Sequence, residues 1–350
     1  MKISVEKTEA AILVEQRQPL VVEEIGLPES LDVGQVLVEI AFSGICGSQL
    51  GEIDGVKGVD KYLPHLLGHE GSGKVLGVGP GVSSVSVGDH VVLHWRPGDG
   101  IQSKTPTYEW QEKPLNAGFV TTFNRHAVVS ENRVTKISKD YPLDLAALFG
   151  CAVTTGTGVI ENKGNLKMGQ SVVVVGAGGV GLSVIQGASL VSAYPIVAVD
   201  IFENRVRLAQ ELGATEGIVS KDASWSSQVK KLIGAQGADL VVDNTGNPEV
   251  ISQCLELTKP KGKTVLIGVP KQGAKTPVDT LPLHFGKVLV GTHGGDGAPE
   301  QDIPRLMALS KLNILNLPKL ISTRCELQDI NDAIEDMRSG KMTGRCLIAL

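Results

Sequence analysis

The sequence predicts an α/β chain in two parts, a β-rich domain and a doubly wound parallel sheet. Three observations carry this. The stretch Ser171 to Gly181, SVVVVGAGGVG, runs a buried strand through a glycine turn into a helix. From about Cys151 short apolar runs alternate with helical patterns, the signature of βαβ units. Before Gly150 the pattern is instead short period-two runs broken by turns.

Taken in order, Val36, Val38, Ile40 and Phe42 line one face of a strand, and GVGPGV at Gly77 to Val82 and Gly88-Asp89 supply turns. The segment Trp95 to Asn116 is polar, rich in Pro and Gly and without either period, so it is expected to be a long surface loop or lobe. The βαβ section predicts strands at 172–175, 196–199, 217–219, 240–242 and 264–267, with 288–290 as a sixth. Gly213 after Leu212 reads as a helix C-cap. Ile330, Ala333, Ile334 and Met337 then mark a helix, and Cys346 to Leu350 a closing strand. A tail of this kind returns to complete the first domain. The expected boundaries are 1–152, 153–295 and 296–350.

Gly176 permits the tight turn, Gly178 lets a pyrophosphate reach the backbone, and Gly181 lets helix and strand pack closely. With Gly179 and Val180 they form a helix N-terminus whose free N–H groups suit an anion. The next strand ends at Asp200, about twenty residues on, where a carboxylate accepts ribose hydroxyls and repels a 2′-phosphate, favouring NAD over NADP. Capping of the helix near Glu203 is compatible with that reading.

At 350 residues with 42 glycines the chain has room for two domains and many turns. A net charge of −5 argues against nucleic-acid and anionic-membrane partners. The first residues carry acids and no apolar run of signal or membrane length, and five scattered cysteines fit a reducing compartment, so a cytoplasmic protein is expected.

Cys46 in GICGS, His69 in LLGHEG and Cys151 in FGCAVTTGTG offer two thiolates and an imidazole, a set that suits zinc and leaves one position open. Isolated cysteines also serve as small buried hydrophobes, and spacing alone leaves both readings open. These motifs, with GAGGVG and the final GR, stand in the order and spacing of the zinc-dependent medium-chain alcohol dehydrogenases, which the chain resembles over nearly its whole length. The resemblance implies a GroES-like catalytic domain built from both chain ends, an inserted Rossmann domain, and an active site in the cleft between them. It implies Cys46, His69 and Cys151 as catalytic zinc ligands, Glu70 as an alternative ligand, and Ser48 as the proton-relaying hydroxyl. It further places Arg205 near the adenosine ribose, Thr155 near the nicotinamide, Arg345 on a phosphate and Trp95 on the pocket wall. The implied reaction transfers a hydride between a primary or secondary alcohol and NAD, in a homodimer or homotetramer.

Three departures from the family pattern stand out. No cysteine occurs from Trp95 to Gly150, so one catalytic zinc and no structural zinc are expected. Gln49 replaces the usual Asp behind the histidine ligand; its amide oxygen is expected to accept the imidazole N–H, at some cost in zinc affinity. Gly51 replaces the outer relay histidine, leaving the ribose hydroxyl, His94 or Glu52 as routes. Cys254, Cys325 and Cys346 read as core, and Tyr108 and Trp110 as packing residues. The competing functions are a polyol, sugar or cyclitol dehydrogenase, a zinc-free NADPH quinone or enoyl reductase, and a dinucleotide-binding structural protein. The intact ligand set opposes the last two, and Asp200 also opposes the NADPH reductase.

Overall fold

The computed structural model describes residues 3, 5–222 and 224–350. The chain divides into two compact units, Met1–Cys151 with Ala298–Leu309 and Ile321–Leu350, and Ala152–Gly297 with Ser310–Leu320.

The first unit begins with β1 (Lys7–Leu13), β2 (Val21–Gly26) and β3 (Gln35–Ile45), then a short helix α1 (Gly47–Ile53). It continues through β4 (His65–Leu66), β5 (Glu70–Val78), β6 (His90–His94), β7 (Thr107–Trp110), β8 (Lys113–Asn116), β9 (His126–Ser130), β10 (Val134–Ile137) and α2 (Leu143–Ala147). β1, β2, β7, β8 and β4 close a barrel. Its core gathers Ile12, Ile25, Leu37, Tyr108, Leu115 and Val128. β3 is apolar on both faces because Leu37 points into that core while Val36, Val38 and Ile40 pack with Val75, Val91 and Leu93.

The 95–116 segment corrects the expectation of a loop. Its second half is the β7–β8 hairpin, turned at Gln111 and Glu112 with φ of 52° and 60°. Short polar strands with one inward residue each, Tyr108 and Leu115, show no period long enough to read. Its first half is anchored by Glu131, whose carboxylate accepts the N–H groups of Ser83, Ser84 and Ile101 at 2.7, 2.9 and 2.8 Å. Tyr108 is packing, its hydroxyl accepting the Val128 N–H at 2.7 Å.

In the second unit α3 (Ala152–Gly158) precedes β11 (Val172–Val175), α4 (Gly179–Leu190), β12 (Ile196–Asp200), α5 (Glu203–Glu211), β13 (Glu216–Val219), α6 (Trp225–Ile233) and β14 (Ala238–Asp243). Then come α7 (Pro248–Leu257), β15 (Thr258–Leu266), α8 (Leu281–His284) and β16 (Val288–Gly291). The six strands are parallel in the order β13-β12-β11-β14-β15-β16, the doubly wound sheet the sequence predicts. Its order reverses between β11 and β14, where ligands bind in such sheets.

Back in the first unit, α9 (Pro299–Lys311) is followed by β17 (Ile321–Glu326), α10 (Ile330–Arg338) and β18 (Arg345–Ala349). α9 begins in the first unit and its last residues belong to the second. β18 pairs with β3 in the order β10-β6-β5-β3-β18-β17, with β9 also on β3. The chain's last strand therefore lies beside the strand that leads to Cys46. Among the described residues no single helix is long and apolar enough to cross a membrane.

Candidate functional site

Three separate backbone features aim Cys46, His69 and Cys151 at one point. Cys46 is the N-cap of α1. His69 follows Gly68, whose φ of +91° and contact with Thr122 exclude a side chain, and it precedes β5. Cys151 follows Gly150, where an added Cβ would stand 2.3 Å from the Leu93 carbonyl oxygen and 2.8 Å from Glu70 Cα. The three ligand atoms lie within 4.8 Å of one another. Tetrahedral zinc with bonds of about 2.3 Å to sulfur and 2.0–2.1 Å to nitrogen needs ligand atoms about 3.5–3.8 Å apart, so a shift of about 1 Å closes the set. His69 Nε2 is sealed from solvent and has no hydrogen-bond partner. An orphaned buried acceptor between two thiols is what a metal would satisfy, and the donor set fits zinc.

The electrostatics point the same way. The hydrogen bond from Cys151, helped by the Arg345 and His69 charges, holds Cys46 well below the usual thiol range against the opposing effect of burial. Cys151 is pushed up by that same bond and by burial, so the pair shares one proton. Burial pulls His69 down, but the negative charges of Cys46 and Glu70 beside it outweigh that and the imidazole is raised.

Gln49 sits at the third position of α1, is 1 % exposed, and reaches back to its N-cap. Its Oε1 accepts the Cys46 N–H at 3.1 Å, and its amide nitrogen lies against His69 Nδ1. The expectation that the amide oxygen serves the imidazole is corrected: Oε1 is turned to the Cys46 N–H, which leaves Nε2 as the amide atom that faces the ring. A Glu or Gln three residues into a helix after a capping side chain is the signal that could have shown this.

Ser48, on α1, has a buried hydroxyl without a partner. Trp95 packs edge-on to His69 with ring centroids 6.4 Å apart. Glu70 is fully buried, and Arg345, 3 % exposed, pairs with it at 3.2 Å and stands 3.4 and 4.0 Å from the sulfurs of Cys46 and Cys151. The guanidinium is thus engaged behind the cysteines and does not offer itself to a phosphate as expected. Nothing local in the sequence announces a partner about 300 residues away. His94 is excluded as a proton route: its Nδ1–H donates to the Arg96 carbonyl at 2.7 Å, its Nε2 accepts from Thr135 at 2.9 Å, and burial lowers its pKa to about 4.

The second unit carries the glycine-rich loop. Gly176 has φ +94°, and a Cβ on Gly181 would lie 2.0 Å from the Gly176 carbonyl oxygen. A Cβ on Gly178 would meet nothing within 4 Å, so the backbone faces open space there. Gly178 is the N-cap of α4 and offers no side chain, leaving the N–H groups that begin at Gly179 and Val180 for a ligand. This cradle fits a pyrophosphate. Asp200 accepts the Ala177 N–H at 2.8 Å and the Phe202 N–H at 3.0 Å, so it braces the loop and does not cap α5, whose N-cap is Phe202. Asn244, directly after β14 and not singled out from sequence, supports the loop through its amide on the Gly176 carbonyl at 3.2 Å. Arg205 stacks its guanidinium 4.7 Å above the Phe202 ring, and Thr155 is buried in α3.

Residues 32–139 match the alcohol dehydrogenase GroES-like domain and residues 179–311 the zinc-binding dehydrogenase family. The chain is 30% identical to an S-(hydroxymethyl)glutathione dehydrogenase of Paracoccus denitrificans, over 96% of this chain and 98% of that protein. It is 31% identical to an NDMA-dependent alcohol dehydrogenase of Amycolatopsis methanolica, over 96% and 97%. Among solved structures, the benzyl alcohol dehydrogenase of Acinetobacter calcoaceticus superposes with a TM-score of 0.88 at 29% identity, covering 99% of this chain and all of that one.

Proposed function

We infer the activity from one premise: the chain belongs to the zinc-dependent medium-chain alcohol dehydrogenase family. It is a zinc-dependent alcohol dehydrogenase, and we propose that it oxidises a primary or secondary alcohol to an aldehyde or ketone with NAD as acceptor, using one zinc per chain. The observation that carries this is the convergence of Cys46, His69 and Cys151 within 4.8 Å around an unpartnered His69 Nε2.

Cys46, His69 and Cys151 would hold the zinc, which would supply a Lewis acid able to lower the pKa of a bound hydroxyl toward neutrality. When NAD is bound, the Gly176–Gly181 loop would hold its pyrophosphate and Asp200 its adenosine ribose, and it would supply the hydride acceptor. The remaining steps belong to the chain. Ser48 Oγ, buried and unpaired, relays the proton of the alcohol, accepting it while giving its own hydroxyl proton to water. Trp95 holds His69 in orientation and walls the substrate. The thiolate of Cys46 and the carboxylate of Glu70, offset by Arg345, set the local charge at which the hydroxyl is held.

We also propose that two copies join at β16, the outer strand of the parallel sheet, which among the described residues has one strand neighbour and exposes Val288, with Phe285 and Leu281 exposed just before it in the chain. The test of the activity is metal analysis of purified protein followed by coenzyme reduction with panels of simple alcohols and of polyols. One tightly bound zinc and turnover on simple alcohols with NAD, abolished by chelation and restored by zinc, is the expected result. Turnover confined to polyols, or with NADP alone, rejects the reading.

A further inference from the structure

Among the described residues β17 is the outermost strand of its sheet, with β18 as its one strand neighbour. In their parallel register Cys325 lies opposite Ile348 and Cys346 opposite Thr323, so the two cysteines sit two positions apart along neighbouring strands and on the same face. Their sulfurs are 3.6 Å apart. A disulfide requires about 2.05 Å, so a shift of about 1.5 Å closes the bond. The strand that must move has the freedom to do so: β17 is largely exposed and its register is irregular between Ile321 and Thr323.

We propose that Cys325 and Cys346 form a reversible redox pair that closes to an intramolecular disulfide when a hydroperoxide reaches the edge strand. The two thiols differ in the way such a step needs. Cys346 is fully buried in the cluster with Ile330, Ala333 and Ile334 of α10, whereas Cys325 is half-buried at the rim. The hydrogen bond from Cys346 draws Cys325 below the usual thiol range, against burial and the nearby Asp329 charge, and makes it the nucleophile. Its sulfur attacks the peroxide O–O bond, releasing an alcohol or water and leaving a sulfenic acid. The Cys346 sulfur then attacks the Cys325 sulfur; the S–S bond forms, the S–O bond breaks, and hydroxide leaves as water with the Cys346 proton. A dithiol reductant reverses the bond by exchange, itself ending as a disulfide.

Arg345 and Cys346 are successive strand residues and face opposite sides of the sheet. The cross-link therefore forms on the α10 side while Arg345 keeps its place against Cys46 and Glu70. It closes the β17–α10–β18 unit and ties down the edge strand, leaving the metal cluster unchanged.

The test treats zinc-loaded full-length protein under native conditions with stoichiometric hydrogen peroxide. Remaining thiols are then alkylated in denaturant and the peptides mapped by mass spectrometry, with bound zinc and thermal stability followed in parallel. The expected result is a 325–346 cross-link lighter by two hydrogens, zinc retained, and Tm raised by about 5 °C, all reversed by dithiothreitol. Because Cys346 is buried, the control is the half-exposed Cys325→Ser, which must fold, bind zinc and show neither cross-link nor Tm rise. A Cys325 that stops at sulfenic or sulfinic acid, or a pair that stays reduced while Cys46 or Cys151 is oxidised and zinc is lost, overturns the proposal.

Discussion

Replacing Gln49 by Glu is expected to tighten zinc binding. Ligation through His69 Nε2 requires that nitrogen to be free of its proton, which places the ring proton on Nδ1. In the structure Nδ1 faces an N–H donor, because the oxygen of Gln49 accepts the Cys46 N–H at 3.1 Å. Metal binding therefore sets two donors against each other unless the amide turns over and abandons the Cys46 N–H, an orphaned buried donor costing about 1–3 kcal/mol. A carboxylate has no such conflict: one oxygen keeps Cys46 and the other takes the Nδ1 proton. The gain is the avoided cost, so zinc affinity of Gln49→Glu should rise between about 5- and 150-fold, a span that includes the usual effect of changing the partner of a ligating histidine.

The assay is zinc competition against a chromophoric chelator at fixed pH, with thermal melts of metal-depleted protein. The added buried negative charge should lower the Tm of the metal-depleted variant, and zinc should restore it. Gln49→Met separates capping from metal effects, since it removes both contacts and should destabilise even the metal-free protein by about 1–3 kcal/mol. A Gln49→Glu protein that binds zinc no more tightly than its parent refutes the reasoning, because the amide orientation would then cost the site nothing.

Three further outcomes are expected. Burial lowers the pKa of His94 from 6.5 to about 4, so the unfolded chain binds a proton there that the folded chain refuses; stability is full above pH 6.5 and is lost as pH falls toward 4. The loss is about 3 kcal/mol over that window, and urea unfolding of His94→Gln at its two ends should show a drop smaller by that amount. Ser48→Ala should cut kcat by about 10²-fold while zinc content stays unchanged; loss of zinc instead would mean the hydroxyl is structural. Gly178→Ala should fold normally, because its Cβ meets nothing within 4 Å, yet raise the KM for coenzyme about tenfold or more, whereas Gly181→Ala, 2.0 Å from the Gly176 carbonyl oxygen, should also lose stability.

What was readable in the sequence was what the backbone must do. Val172 to Val175 could only be a strand buried on both faces, and Gly176, Gly178 and Gly181 each answer a different steric demand that the structure displays separately. The alternation of apolar runs gave the parallel sheet, and the 3.6-residue period gave α10. The hairpin within 95–116 is unreadable because strands of four residues with one inward side chain each carry too little period.

The side-chain partnerships behind the cysteines were unreadable for another reason. The phosphate role of Arg345 is what the family resemblance implies, but strand β18 carries it to Glu70 and two sulfurs from the opposite end of the chain. That placement has an energetic logic of its own. A buried thiolate and a buried carboxylate would each be costly without a cation, and Arg345 supplies one permanently, so the ligand cluster can stay folded and partly ionised before any metal arrives. Removing it by Arg345→Met should therefore destabilise the metal-depleted protein more than the zinc-loaded one, since only the former has no second cation to stand between Cys46 and Glu70; equal losses in differential melts of the two forms would show that the arginine is simply packing.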